Sequence, residues 1–144
     1  MSVSAFEAMA TATAMPVVAR ELDALASYTW AFNANIVAAL LGMVVAGLWS
    51  DATGPRRTLI AGLLAFVVGS AVAGAAGDFA VFVVGRAIQG IGGGMLIVGV
   101  YVLIARAYPP EVRPKAFSAL ASAWVLPSLV GPLIAGWLAD SVSW

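Results

Sequence analysis

Residues 79–105, FAVFVVGRAIQGIGGGMLIVGVYVLIA, decide the fold, and Arg86 is the only charge among them. At about 1.5 Å of rise per residue, a helix of this length spans the roughly 30 Å hydrocarbon core of a bilayer with residues to spare. Lipid offers the backbone no hydrogen bonds, so a lipid-exposed stretch of this kind is helical. The alternating segments of about ten residues that a membrane barrel needs are not visible anywhere in the chain. Arg86 lies seven residues in from Phe79, about 10 Å below the surface at helical rise. Charge at such depth costs about 2.5–3.5 kcal/mol even on insertion scales, which makes Arg86 a functional candidate; the alternative is a side chain that snorkels to the headgroups.

Outward from this stretch the pattern repeats. Uncharged runs cover 8–19, 24–50, 58–77 and 116–139, and predict spans near 3–18, 28–49, 58–77, 79–105 and 116–139. The expected architecture is an all-α membrane protein of about five transmembrane helices. The first span lacks a basic leader segment and contains Glu7, which separates it from a signal peptide. Its sixteen residues cover only about 24 Å, so the helix is thin or begins upstream of Met1.

Composition agrees. Of the 144 residues 62% are hydrophobic and 10% charged, against about 45–50% and 25% in soluble domains, and mean hydropathy is +1.01. Seven basic and seven acidic residues cancel, and no basic tract suggests nucleic acid as a partner. The chain has no Cys and no His, hence neither disulfide nor thiolate metal site, and proton chemistry near neutral pH falls to a carboxylate. No nucleophile–base pair, metal cluster or phosphate loop appears; Gly90-Ile91-Gly92-Gly93-Gly94 is glycine-rich but mid-membrane, with no strand before it. The reading is not an enzyme and needs no cofactor.

Charge sets the orientation. The 50–57 and 106–115 loops carry Arg56, Arg57, Arg106, Arg113 and Lys115, whereas the opposite side has only Arg20. The positive-inside bias places the first pair in the cytoplasm, with the N-terminus inside. Tyr28, Trp30, Trp137 and Trp144 would then anchor the outer interface, and Trp49 and Tyr108 the inner one.

Three motifs lie on this frame. Gly47-Leu48-Trp49-Ser50-Asp51-Ala52-Thr53-Gly54-Pro55-Arg56-Arg57-Thr58-Leu59 is a sharp reversal, since Pro55 cannot continue a helix. Asp51 is read as lying near the following helix start, where the helix dipole favours an acid. Val83-Val84-Gly85-Arg86-Ala87-Ile88-Gln89-Gly90-Ile91-Gly92 sets the deep arginine among glycines that admit a close neighbour. Pro127-Ser128-Leu129-Val130-Gly131-Pro132-Leu133-Ile134-Ala135-Gly136 removes two helical hydrogen bonds and permits a bend.

The first motif resembles the major facilitator superfamily signature G-x-L-a-D-r-x-G-r-k-x-x-l, matched by Gly47, Asp51, Gly54, Arg56 and Leu59; Trp49, Ala52 and Pro55 depart from it, the last two at basic positions. The second resembles that family's fourth-helix pattern l-x-x-R-x-x-Q-G-x-g at Val83, Arg86, Gln89, Gly90 and Gly92. The third is similar to the antiporter signature g-x-x-x-G-P-x-x-G-G at Gly131, Pro132 and Gly136, with Pro127 and Ala135 in place of Gly. Phe6 to Pro16 is similar to the first helix of fourteen-helix exporters only at Glu7, Ala14 and Pro16.

The resemblance implies part of the N-terminal six-helix bundle of a drug:proton antiporter: a multi-pass protein of the cell inner membrane that meets lipid, protons, a small-molecule substrate and the transporter's remaining helices. It implies a cytoplasmic gating loop with Gly47, Asp51, Gly54 and Arg56, and a kinked helix with Pro127, Gly131, Pro132 and Gly136. Proton coupling is expected at Glu7 and Arg86, whose estimated depths differ by about 6 Å. Asn33, Asn35 and Gln89, level with Arg86, either line the substrate path or hydrogen-bond between helices. The chain is expected to be a fragment or truncated reading frame, since the family continues into further helices. Two rivals stand beside this reading: a small dimeric multidrug carrier built around a first-helix glutamate, and a membrane fragment that transports nothing.

Overall fold

A computed structural model describes residues 29–123 and 125. They hold four helices. Three are long and apolar enough to cross a membrane: α1 (Thr29–Thr53), α2 (Pro55–Gly74) and α3 (Phe79–Ala107). A fourth stretch, 113–123, belongs with residues from 110 onward to a separate compact unit. There the Lys115 and Ala116 amides donate to the Val112 carbonyl at 3.1 and 3.2 Å, and Ser118 and Ser122 each return a hydroxyl to the carbonyl four residues back, both at 2.9 Å. The expected spans at 28–49, 58–77 and 79–105 correspond to α1, α2 and α3. The expected span 3–18, with Glu7, lies outside the described residues, as does most of 116–139, with Pro127, Gly131, Pro132 and Gly136.

The connection between α1 and α2 corrects the sequence reading. A loop over 50–57 was expected, but α1 runs through Thr53 and α2 begins at Pro55, so Gly54 alone reverses the chain. It does so at φ 87° and ψ 158°, a conformation essentially restricted to glycine. Its amide still closes a helical turn on the Ser50 carbonyl at 2.9 Å, and Pro55, with no amide hydrogen to lose, suits the first position of α2. Asp51 therefore stands in the last turn of α1, not at the start of the next helix. The α2–α3 connection is also short. Asp78 caps α3, its carboxylate accepting the Val81 amide at 3.0 Å, and Tyr108 followed by Pro109 and Pro110 ends it.

Packing is of the membrane kind. Large aliphatic side chains point outward: Leu40, Leu41, Val44 and Leu48 on α1, Leu63, Leu64 and Val67 on α2 are all exposed. The buried positions are small: Ala31, Ala38, Gly42, Ala46 and Ser50 on α1, and Thr58, Gly62, Gly69 and Ala73 around Phe66 on α2. With lipid as apolar as Leu, helices associate through close backbone approach instead of a greasy core. α3 lies against both α1 and α2, which meet each other little. A Cβ on Gly92 would lie 2.6 Å from the Gly62 carbonyl oxygen, and one on Gly94 would lie 2.9 Å from the Ala39 carbonyl carbon. Glycine is thus required on both sides of α3.

Candidate functional site

The same close approach buries Arg86. It stands two turns into α3, beside Gly85, where an added Cβ would come 2.5 Å from the Ala73 nitrogen of α2. One turn later Gly90 presses on α1, its Cβ position 3.0 Å from the Asn35 carbonyl carbon. Two neighbouring backbones close over the arginine from either side and leave it only 4% exposed. This excludes the side chain that snorkels to the headgroups.

The guanidinium is held by a relay of side chains. Arg86 Nη1 donates to Gln89 Oε1, one turn on along the same face. Gln89 Nε2 donates to Ser70 Oγ at 2.9 Å, crossing to α2, and the Ser70 hydroxyl donates to the Phe66 carbonyl at 2.8 Å. On the other side, Asn35 Nδ2 donates to the Arg86 carbonyl at 3.0 Å and ties α1 to the same turn of α3. Gln89 is as buried as Arg86. The result is a guanidinium held in place in a low-dielectric region, where its field reaches far.

Of the residues expected near Arg86, the structure gathers Gln89 and Asn35, both as helix–helix hydrogen-bonding groups. Asn33 is not gathered: it is two residues from Asn35 on a helix, so the two do not share a face, and it is exposed. Ser70 was missed. Its signal was a hydroxyl within an apolar span, three and four residues from Ala73 and Phe66 on the buried face.

The expected gating residues lie at the other end of the bundle. Gly54 makes the reversal, and Arg56 is exposed in the first turn of α2. Gly47 has open space where a Cβ would project. Asp51 is exposed and pairs with Arg106 of α3, Oδ1 to Nη2 at 3.7 Å. Beneath it Ser50 Oγ donates to Thr58 Oγ1 at 2.9 Å, and both residues are fully buried. Sequence reading passed over Ser50, Thr58 and Arg106. The first two were readable as hydroxyls flanking the turn; Arg106 counted only toward orientation.

Comparison with known proteins places these features in a family. The Major Facilitator Superfamily model matches residues 1–144. The chain is 35% identical over 141 residues to Multidrug resistance protein 3 of Bacillus subtilis, covering 98% of this chain and 28% of that protein. It is 31% identical over 144 residues to Multidrug transporter protein MdtP of the same organism, covering 100% and 27%. It is 32% identical over 142 residues to the Acurin A biosynthesis cluster MFS-type transporter of Aspergillus aculeatus, covering 99% and 26%. The chain thus spans about a quarter of the length of these relatives. No solved structure matches it. With three membrane-length helices, a buried arginine on the third and a match along its whole length, the chain is a multi-pass membrane protein that belongs to the major facilitator superfamily.

Proposed function

We propose that this chain is part of the N-terminal bundle of a secondary active transporter that exports drugs or other small molecules in exchange for protons. The observation that carries the proposal is Arg86, buried two turns inside α3 and held by Gln89, Ser70 and Asn35. A helix bundle that needed only to cross the membrane would be more stable without it. Burying a guanidinium costs several kcal/mol before its hydrogen bonds return part of that, so a retained one points to work done by its charge. The names of the relatives, two of them multidrug proteins, favour export of drugs.

In this reading Glu7 carries the proton and Arg86 is its counter-charge. Arg86 favours the carboxylate, and loading a proton frees the arginine's field to act on the substrate path. Such a change biases the protein between inward- and outward-facing states. Asn35 and Gln89 fix the arginine's turn of α3, and Asn33 stands on a different face of α1. The Asp51 end is cytoplasmic, by the excess of Arg and Lys there, and the protein resides in the cell inner membrane.

The test is proton-driven efflux of cationic dyes from proteoliposomes containing the full-length protein. Glu7→Gln abolishes efflux while leaving the protein inserted. Arg86→Lys keeps the charge but loses the planar fork, and lowers efflux by roughly tenfold or more, the scale of 1.4 kcal/mol or above. Wild-type efflux by both Glu7→Gln and Arg86→Ala over about pH 6 to 8, the range of physiological proton switching, would overturn the coupling mechanism.

A further inference from the structure

The C-terminal end of α1 poses an electrostatic problem that α1 does not solve. The last four carbonyls of a helix lack partners within it and carry the negative end of its dipole. A base in that turn would ordinarily answer them. The last turn of α1 has none; residue 52 is alanine, and Asp51 adds a full negative charge where the dipole is already negative. The chain then reverses in a single residue, Gly54, whose amide meets the Ser50 carbonyl at 2.9 Å but brings no positive charge to that turn.

The missing cation comes from another helix. Arg106, the base in the last turn of α3, extends its guanidinium across to α1. Its Nη2 donates to the Ser50 carbonyl at 3.1 Å and lies 3.7 Å from Asp51 Oδ1. Its Nη1 comes 3.9 Å from the position a Cβ would take on Gly54. One side chain therefore adds a second, charged donor to the Ser50 carbonyl, which already accepts the Gly54 amide, and meets the neighbouring acid and the edge of the turn. The arrangement is anchored below by Ser50 Oγ and Thr58 Oγ1, which join the same turn of α1 to the first turn of α2.

We propose that Arg106 is a positioning residue: it closes the end of α1 in place of the base absent at position 52, and so sets where the Asp51 carboxylate points during transport. The part concerning transport rests on the function proposed above; the closing of α1 does not. Arg106 acts through Asp51 and the Ser50 carbonyl and contacts neither proton nor substrate. Its role is one of charge at a fixed place, so a base supplied within α1 itself must replace it.

The experiment is a rescue in the full-length protein with two readouts, the thermal unfolding midpoint in detergent at low salt and dye efflux from proteoliposomes. R106A lowers the midpoint by about 1–2 °C, the shift that about 1 kcal/mol makes in a chain of full transporter length, and efflux by roughly fivefold, the factor that corresponds to about 1 kcal/mol. R106K keeps most of both. A52R, neutral alone, restores midpoint and efflux in the R106A background, and D51N removes most of the effect of R106A. If A52R/R106A is no better than R106A in either readout, or if R106A costs as much in the D51N background as in wild type, the proposal fails. If the wild-type protein carries no dye at all, the transport reading fails, and the rescue of the midpoint decides whether Arg106 closes α1.

Discussion

α3 carries two arginines that solve opposite problems. Arg86 is buried two turns inside the helix and held through Gln89 to Ser70, with the helices on either side pressed to glycine contact. Arg106 stands half-exposed at the helix end and reaches a carboxylate that is 81% exposed. In the middle, position is supplied by packing, and the charge is the burden to be carried. At the end, packing is loose and the charge itself supplies position. The residue type alone therefore says little about what a residue does: depth decides whether the fold holds the arginine or the arginine holds the fold.

The largest test of that contrast lies in the packing around Arg86. Gly92→Val would drive a side chain into the Gly62 carbonyl and the Phe66 backbone. Overpacking between backbones that cannot yield costs about 3 kcal/mol, the upper end of the usual range, seen as a lowered and broadened unfolding transition in detergent. A stable, wild-type-like Gly92→Val would mean that α2 and α3 do not approach as described.

Gln89→Leu comes next. It leaves Arg86 Nη1 without its Gln89 acceptor, and an unmet hydrogen bond at a buried charged group costs about 2–3 kcal/mol. The loss should be the same at low and high salt, because a buried group is little screened. Asp51→Asn at the exposed end should cost no more than about 1 kcal/mol, and that should vanish in about 1 M salt. Thermal melts of the two variants across a salt series compare them directly; equal salt dependence would erase the distinction between the two regions.

Between these falls Gly54→Ala. At φ 87° and ψ 158°, any side chain is strained by about 1–3 kcal/mol, although space is available. Substitution of Ser50 by Ala together with Thr58 by Val removes both hydroxyls of a buried pair, and should cost less than Thr58→Val alone, which orphans the Ser50 donor at about 1 kcal/mol. The smallest effect is expected at Gly93→Ala. The nearest atom to the added Cβ is Phe66 Cδ2 at 3.9 Å, so only helix propensity acts, and stability should rise by about 0.5–1 kcal/mol. Measured side by side, Gly92 and Gly93 separate a glycine needed for approach from one that is not.

Much of this was readable before any coordinates. The runs of uncharged residues placed α1, α2 and α3 to within a few residues, because lipid permits little else of that length and composition. Gly54-Pro55 marked the reversal, though not its tightness; the charges of Asp51, Arg56 and Arg57 suggested a loop, but the membrane end of a helix tolerates charge, and α1 continues through Asp51 while α2 already holds Arg56 and Arg57. Arg86 announced itself as a charge out of place. Its partners did not. Helices that are apolar on every side carry no stripe to show which face meets a neighbour, so nothing distinguished Ser70 from a hydroxyl facing lipid, or Asn35 from Asn33.

The sequence by itself determined the solvent of this protein, the family to which it belongs, where its three described spans lie and which residue turns the chain between the first two, because these depend on local composition and on the backbone conformations each residue allows. Only the tertiary structure decided which residues share the bundle interior. That Gln89 rests on Ser70, nineteen positions away, and that Arg106 closes a helix whose last turn lies more than fifty residues before it, follow from where the backbones approach one another. That approach is set by glycines of one helix seated against the backbone of another, and a glycine in a sequence does not reveal the partner that it admits.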